Sequence, residues 1–236
     1  MKRSLVLFAA LTLLAATSPA LAITVSTEEN FNTDAANWRQ NSSATTANWV
    51  SSGGPNGASD SYVTSSLNLA KSTSATVVFR ANDAFNASGD AFVGNWVTAG
   101  ADTFSFWFKH DAPANLTVGA RWSPIANFPG LSILTSLNSI APNTWTPITF
   151  ALDPNNPNWI NAEGAGPTIP EAFYNTFSSV ANLQILVQRD AALIPENTTV
   201  TFSLDHVSVV PEPSSLFLAA AGGLGMLLIA RRRRAA

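Results

Sequence analysis

Cysteine is absent from all 236 residues, histidine, methionine and tyrosine occur twice each, and only 11% of the chain is charged. An ordinary soluble domain carries about 25% charged residues. Without cysteine there is no disulfide framework, thiol nucleophile, zinc finger or iron–sulfur cluster. The chain also lacks a Gly-x-Ser-x-Gly elbow, a His-Glu-x-x-His pair, a P-loop and a dinucleotide fingerprint. Basic residues are scarce where they would matter. Six of the twelve lie at the two ends, so residues 23–212 hold six bases against all fifteen acids, a net charge of −9. Phosphate neutralisation needs basic surface, which excludes a nucleic-acid partner.

What the chain does have begins at its ends. Lys2-Arg3 precedes an apolar run from Leu5 to Ala16 and then Ser18-Pro19-Ala20-Leu21-Ala22. A positive start, a short apolar stretch and the small-x-small pair Ala20 and Ala22 read as a signal peptide over residues 1–22, cleaved after Ala22. At the other end, Pro211-Glu212-Pro213 leads into an uncharged run over 216–230 and then Arg231-Arg232-Arg233-Arg234. As a helix, the run reaches about 22 Å at 1.5 Å per residue, and about 27 Å with Pro213 to Ser215 included, just enough to cross a thin bilayer. The positive-inside rule keeps the arginines cytoplasmic and the preceding domain outside.

Residues 210–236 resemble a PEP-CTERM sorting signal, with Pro-Glu-Pro, short hydrophobic helix and terminal basic cluster in order. The resemblance implies a Gram-negative host, processing near Pro211-Glu212-Pro213 by an exosortase, and release or attachment at the cell surface, often alongside exopolysaccharide production. The membrane is then a transient partner.

Between residues 23 and 209 there is little helical periodicity. Ser, Thr, Asn, Val and Phe dominate, and Gly, Pro, Asn and Asp interrupt at short intervals, the pattern of a single all-β antiparallel sandwich or jelly roll. Strands are expected at 75–80, 103–110, 116–122, 146–152, 183–189 and 199–209, with shorter ones near 23–26, 49–51 and 61–64. A helical turn is expected over 171–179. Phe104, Phe106 and Phe108 alternate with Ser105, Trp107 and Lys109. Leu116, Val118, Ala120 and Trp122 form a second apolar set. Pairing the two as a hairpin places Phe108 opposite Val118 and Phe106 opposite Ala120. That register collects Trp107, Lys109 and Arg121 on one polar face.

The domain loosely resembles the galactose-binding-like jelly rolls of non-catalytic carbohydrate-binding modules. The stretches that carry this are Glu28-Glu29-Asn30-Phe31 with Trp38, Ser52 to Gly57, Phe79-Arg80-Ala81 with Phe85, and Phe202 to Val207. It implies a sugar ligand and a structural calcium held by Asp205 with Glu28 or Glu29, hard oxygen donors of the right kind. The Asp-x-Asp-x-Asp-Gly calcium loop is absent.

On the Trp107–Lys109–Arg121 face a sugar ring stacks on the indole while the cations donate to hydroxyls or uronates. Trp96 and Trp159 are looser alternatives on loops. His206 alternates with Phe202 and Leu204, whereas Asp205 falls with Val207 and Val209; His110 pairs with Asp111 in a turn. Asp83, Asp90, Asp102 and Glu163 offer carboxylates for glycoside cleavage, with no pair at a defined separation. No catalytic residue is assigned. Sequons at Asn41, Asn86, Asn115 and Asn197 follow from composition. The leading expectation is a non-catalytic polysaccharide-binding surface or biofilm-matrix protein. The alternatives are a secreted glycan hydrolase and a self-associating coat protein with exposed sheet edges.

Overall fold

The computed structural model describes residues 27–69 and 74–211. The signal peptide, the run over 216–230 and the arginine cluster lie outside the described residues. Among the described residues no helix is long and apolar enough to cross a membrane. The strands are β1 (Thr27–Glu29), β2 (Asn48–Val50), β3 (Tyr62–Asn68), β4 (Thr76–Asn82), β5 (Ala101–His110), β6 (Thr117–Ser123), β7 (Leu131–Leu134), β8 (Thr146–Ala151), β9 (Trp159–Ile160), β10 (Asn182–Gln188) and β11 (Thr199–Pro211), with one α-helix, α1 (Ile169–Phe177). They form an antiparallel β-sandwich of the jelly-roll type. Sheet A runs β2-β3-β11-β5-β8 with β1 also on β11, and sheet B runs β4-β10-β6-β7-β9.

Alternation builds the core. In β5, Phe104, Phe106, Phe108 and His110 are buried, while Ser105, Trp107 and Lys109 are partly exposed. The Phe104 ring meets Trp122 of β6 edge-on at 5.2 Å between centroids, bridging the two sheets. Trp122 also packs against Trp96, Trp159 and Phe177. α1 closes this end. Thr168 caps it by accepting from the Glu171 backbone N–H while donating its hydroxyl to the Glu171 carboxylate, a reciprocal cap that satisfies a donor the helix leaves orphaned. Phe173 and Phe177 on the inner face of α1 then stack on each other and on Trp159.

The expected β5–β6 hairpin does not form. Phe108 lies opposite Leu204 of β11 and Thr146 of β8, whereas Val118 lies opposite Val187 of β10. The chain crosses from sheet A to sheet B between His110 and Thr117. Both apolar sets are buried together, but face to face across the sandwich, with sheets about 10 Å apart. Alternation fixes which face is buried and leaves the neighbouring strand open. Trp96 and Trp159 are core residues, 1% and 5% exposed, with Trp159 in β9. The helical turn is α1, as expected.

β11 holds the register surprise. Phe202 and Leu204 point inward opposite His110 and Phe108, and Val207 and Val209 are also fully buried. The pairing with β5 shifts between Asp205 and Ser208. This bulge adds one residue, with His206 in the left-handed region at φ 47°, so Asp205 and His206 both fall on the outer side. The expectation that His206 shares the face of Phe202, and that Asp205 shares that of Val207, is corrected by that single inserted residue.

Trp122 is fully buried and its indole N–H has no partner. Trp122→Ala is expected to cost about 3–5 kcal/mol in chemical denaturation. Trp122→Phe should recover most of that loss, because it fills the space without an orphaned donor. An Ala variant as stable as the parent would show that this cluster does not hold the sheets together.

Candidate functional site

On the outer side of sheet A the bulge gathers four ionisable groups. Asp205 is fully buried; its Oδ1 accepts from the His206 backbone N–H at 2.8 Å, and its Oδ2 has no hydrogen-bond partner. His206 Nδ1 meets Glu28 Oε1 at 2.9 Å, and Nε2 lies 3.7 Å from Asp60 Oδ2 and 3.6 Å from Asp205 Oδ2. The Asn56 side-chain amide sits 2.6 Å from Nε2, and its backbone N–H donates to Asp60. Burial pushes the Asp205 carboxyl up to about 7, and the facing Asp60 adds to this against the opposing pull of His206. Burial alone would lower His206; the bond to Glu28 and the charges of Asp205, Asp60 and Glu28 outweigh it and hold the imidazole above its ordinary value. His206 is thus the one base among the three carboxyl groups of an acidic nest.

The same donors fit a cation. One ligand atom each from Asp60, Asp205 and His206 lie within 4.8 Å of one another, and the orphaned Asp205 Oδ2 is a carboxylate oxygen of the kind calcium takes. Glu28 is adjacent. Glu29 is not part of this group: its Oε1 accepts from the Phe31 N–H, and the side chain lines a separate depression with Asp34 and Asn37.

Next to this nest, Trp107 of β5 lines a cleft of about 210 Å³ with Glu28, Asn56, Pro147, Thr149, His206 and Ser208. Trp107 pairs with Asp205 on one side and Pro147 on the other. Lys109, two residues along, is clamped between aromatic faces, with Nζ 5.2 Å from the Tyr62 ring centre and 4.8 Å from that of Trp145. Trp145 in turn donates to the Gly53 carbonyl, tying the 51–60 loop over this end of the face.

Arg121 is elsewhere. It lies on the outer side of sheet B, so the structure does not bring it to Trp107 and Lys109. Its Nε and Nη2 grip the Glu163 carboxylate at 2.8 and 2.7 Å, its other donors reach Ser123, Asn127 and Gln184, and Phe128 covers the guanidinium. Glu163 also accepts from Gly130 N–H. Arg121 therefore pins the 124–130 and 161–166 loops to the sheet. Of the remaining candidates, His110 is buried, with Nδ1 accepting from Ala112 N–H and Nε2 on the Ile140 carbonyl; burial holds its pKa down. Asp111 accepts from Thr201 N–H instead of pairing with it.

A protein-family comparison matches residues 209–234 to the PEP-CTERM protein-sorting motif. The chain carries a PEP-CTERM sorting motif. Of the matched span only residues 209–211, the end of β11, are among those described. No curated protein sequence matches the chain. Several solved structures align with the chain at low similarity. A CBM22-1–GH10 xylanase fragment of Clostridium thermocellum, complexed with xylohexaose, aligns with TM-score 0.44 at 12% identity over 80% of this chain and 29% of that one. The CBM22-2 xylan-binding domain of Paenibacillus barcinonensis gives 0.44 at 14% over 78% and 98%. A family 30 carbohydrate-binding module of a C. thermocellum cellulase gives 0.40 at 11% over 81% and 97%. Likenesses this low say nothing about what this chain binds.

Of the residues expected from the sequence, the structure brings Trp107, Lys109, Glu28 and Asp205 to one face, beside Asn56, Asp60, Tyr62, Trp145 and an outward-turned His206 that the sequence reading does not place there. The Gly53-Gly54 turn was visible, but nothing local says which strand its loop folds over. A pH titration tests the nest. Asp205 and His206 both bind protons more tightly folded than unfolded, so their contribution is present at low pH and lost as pH rises. For Asp205 the window runs from 3.8 to about 7; for His206 it lies above 6.5. In chelator, the melting temperature should fall between about pH 5 and 8, and His206→Asn, which keeps a residue tolerant of positive φ, should flatten the slope. A slope unchanged by the substitution would contradict the assignment.

Proposed function

We propose that this is an exported protein, delivered by a signal peptide over 1–22, held transiently by a membrane helix over 216–230, and processed by an exosortase near Pro211-Glu212-Pro213 to the surface or matrix of a Gram-negative cell. There its sandwich binds extracellular polysaccharide without cleaving it. The observation that carries the binding reading is Trp107 in a cleft rimmed by Glu28, Asn56, Thr149, His206 and Ser208. A pyranose offers an apolar C–H face for an indole, and its hydroxyls pair with such a rim. Lys109 acts by holding Tyr62 and Trp145 in place beside the cleft; Arg121 supports the opposite sheet. A calcium ion, where bound, takes Asp60 and Asp205 with Glu28 alongside, and stiffens the cleft wall.

The full chain in mild detergent is expected to bind the host's extracted exopolysaccharide saturably and release no sugar. Trp107→Ala should weaken binding about tenfold or more, since stacking on an aromatic ring and its buried area are both lost. Added calcium should raise the melting temperature more at about pH 8 than at pH 5.5, because the ion competes with the bound protons. Product release over time would favour a hydrolase, and self-association without saccharide binding a coat protein.

The sorting reading has a separate check. The intact mass of protein recovered from the cell surface should lack Arg231 to Arg234 and the residues before them back to the Pro-Glu-Pro region. A mature surface protein that keeps its arginines would contradict exosortase processing.

A further inference from the structure

The scarce positive charge of the domain is not scattered. The segment around Arg39 pairs with β4 through reciprocal backbone bonds, Arg39 to Arg80 at 2.9 Å each way, and so extends sheet B by one edge. Across that sheet the register reads Arg39, Arg80, Gln184, Arg121, Ser132 and Ile160 in one continuous row. Three of the six basic residues in 23–212 therefore stand in line on an outer face, in a region whose net charge is −9. Neighbouring strands lie about 4.8 Å apart, so the backbone positions of Arg39 and Arg80 are one strand spacing apart and those of Arg80 and Arg121 two.

Only one of the three is neutralised. Arg121 has Glu163. Among the described residues neither Arg39 nor Arg80 has a carboxylate within ion-pair distance. Arg80 donates its Nε–H to the Asn41 carbonyl, and among the described residues its terminal nitrogens have no hydrogen-bond partner. Arg39 spends Nη1 on Thr46, and its buried Nε has no partner. Partial burial first, and then the nearby charge of Arg121, lower the Arg80 pKa from its ordinary value. Aromatic rings flank the row: Phe85 beneath Arg39 at 5.1 Å, and Phe128 over Arg121, 62% exposed.

We infer that the Arg39–Arg80 end of this row is a second glycan site, selective for the carboxylates of a uronic-acid polysaccharide. The chemistry is that of a guanidinium fork, which takes a carboxylate through two parallel N–H donors. A chain of uronic acids presents carboxylates at regular intervals for guanidinium groups, and apolar ring faces for the phenyl rings that lie against Arg39 and Arg121. The inference rests on the polysaccharide-binding reading and adds to it a ligand class and a face opposite to Trp107.

The test uses the full chain in mild detergent with two probes, oligogalacturonate and its fully methyl-esterified form, which keeps the sugar and removes the charge. The free acid is expected to bind at least about tenfold more tightly, with affinity falling as salt rises. Arg39→Gln and Arg80→Gln should each lose about tenfold or more on the free acid, the scale of one charge-assisted hydrogen bond. Arg80→Lys should recover only part, because it restores charge without the fork. Unfolding midpoints check that each variant folds, and Arg39→Gln, at the edge, leaves the sheet interior untouched. Equal binding of both probes, or glutamine variants that bind the acid like the parent, would overturn this inference and leave polysaccharide binding standing. No binding of either probe, or of host exopolysaccharide, would overturn both.

Discussion

β11 is the strand on which both the packing and the chemistry of sheet A depend. It runs from Thr199 to Pro211 and pairs along one edge with β3 and then β1, and along the other with β5. A strand bordered on both sides cannot shift without breaking three ladders, so its bulge is held by backbone bonds on each side. Before the bulge Phe202 and Leu204 fill the core; after it Val207 and Val209 do. Between them Asp205 and His206 are driven outward together. A left-handed φ at a non-glycine residue costs of order 1–3 kcal/mol. The site offsets that with the hydrogen bond from His206 to the Asp205 carboxylate and the ion pair with Glu28.

The two outer faces are built on different principles. Sheet A carries acids around one histidine, aromatic rings around one lysine, and a tryptophan in the cleft between. Sheet B carries arginines, with one glutamate locking the loops over the far end. Between the sheets the core is unusually aromatic, and Trp122 touches rings from both layers and from α1. Such large, stiff side chains fill the space between sheets with few residues, which lets the remaining surface be Ser, Thr and Asn. In a domain with so little charge, the groups that do converge on the two outer faces stand out: Glu28, Asp60 and Asp205 around His206 on one, and Arg39, Arg80 and Arg121 in a row on the other.

The alternating phenylalanines of β5 and the long closing strand were legible because a period of two survives any choice of neighbour. The sandwich class followed from turn residues and alternation, and the helical turn expected over 171–179 is α1 at Ile169–Phe177, whose Thr168 cap only the structure shows. The partner of β5 was not legible. Phe108 fits Val118 in a hairpin as well as it fits Leu204 in a sheet, and only the crossing between layers separates the two. That choice moved Arg121 from the Trp107 face to the other side of the molecule. The bulge was illegible for a related reason: strict alternation is assumed until a three-dimensional ladder breaks it. Trp96 and Trp159, with Asn, Gly and Pro around them, resembled loop residues and proved to be core.

The binding reading stands or falls on whether the outer face of sheet A, and Trp107 in particular, receives the sugar. The seven tryptophans provide their own reporters, because each indole N–H gives a separate nitrogen–proton resonance. Titrating labelled full-length protein in micelles with host exopolysaccharide should shift the resonances of Trp107 and Trp145. Those of the buried Trp38, Trp96 and Trp122 should stay in place. Binding that leaves the Trp107 resonance unmoved would contradict the claim.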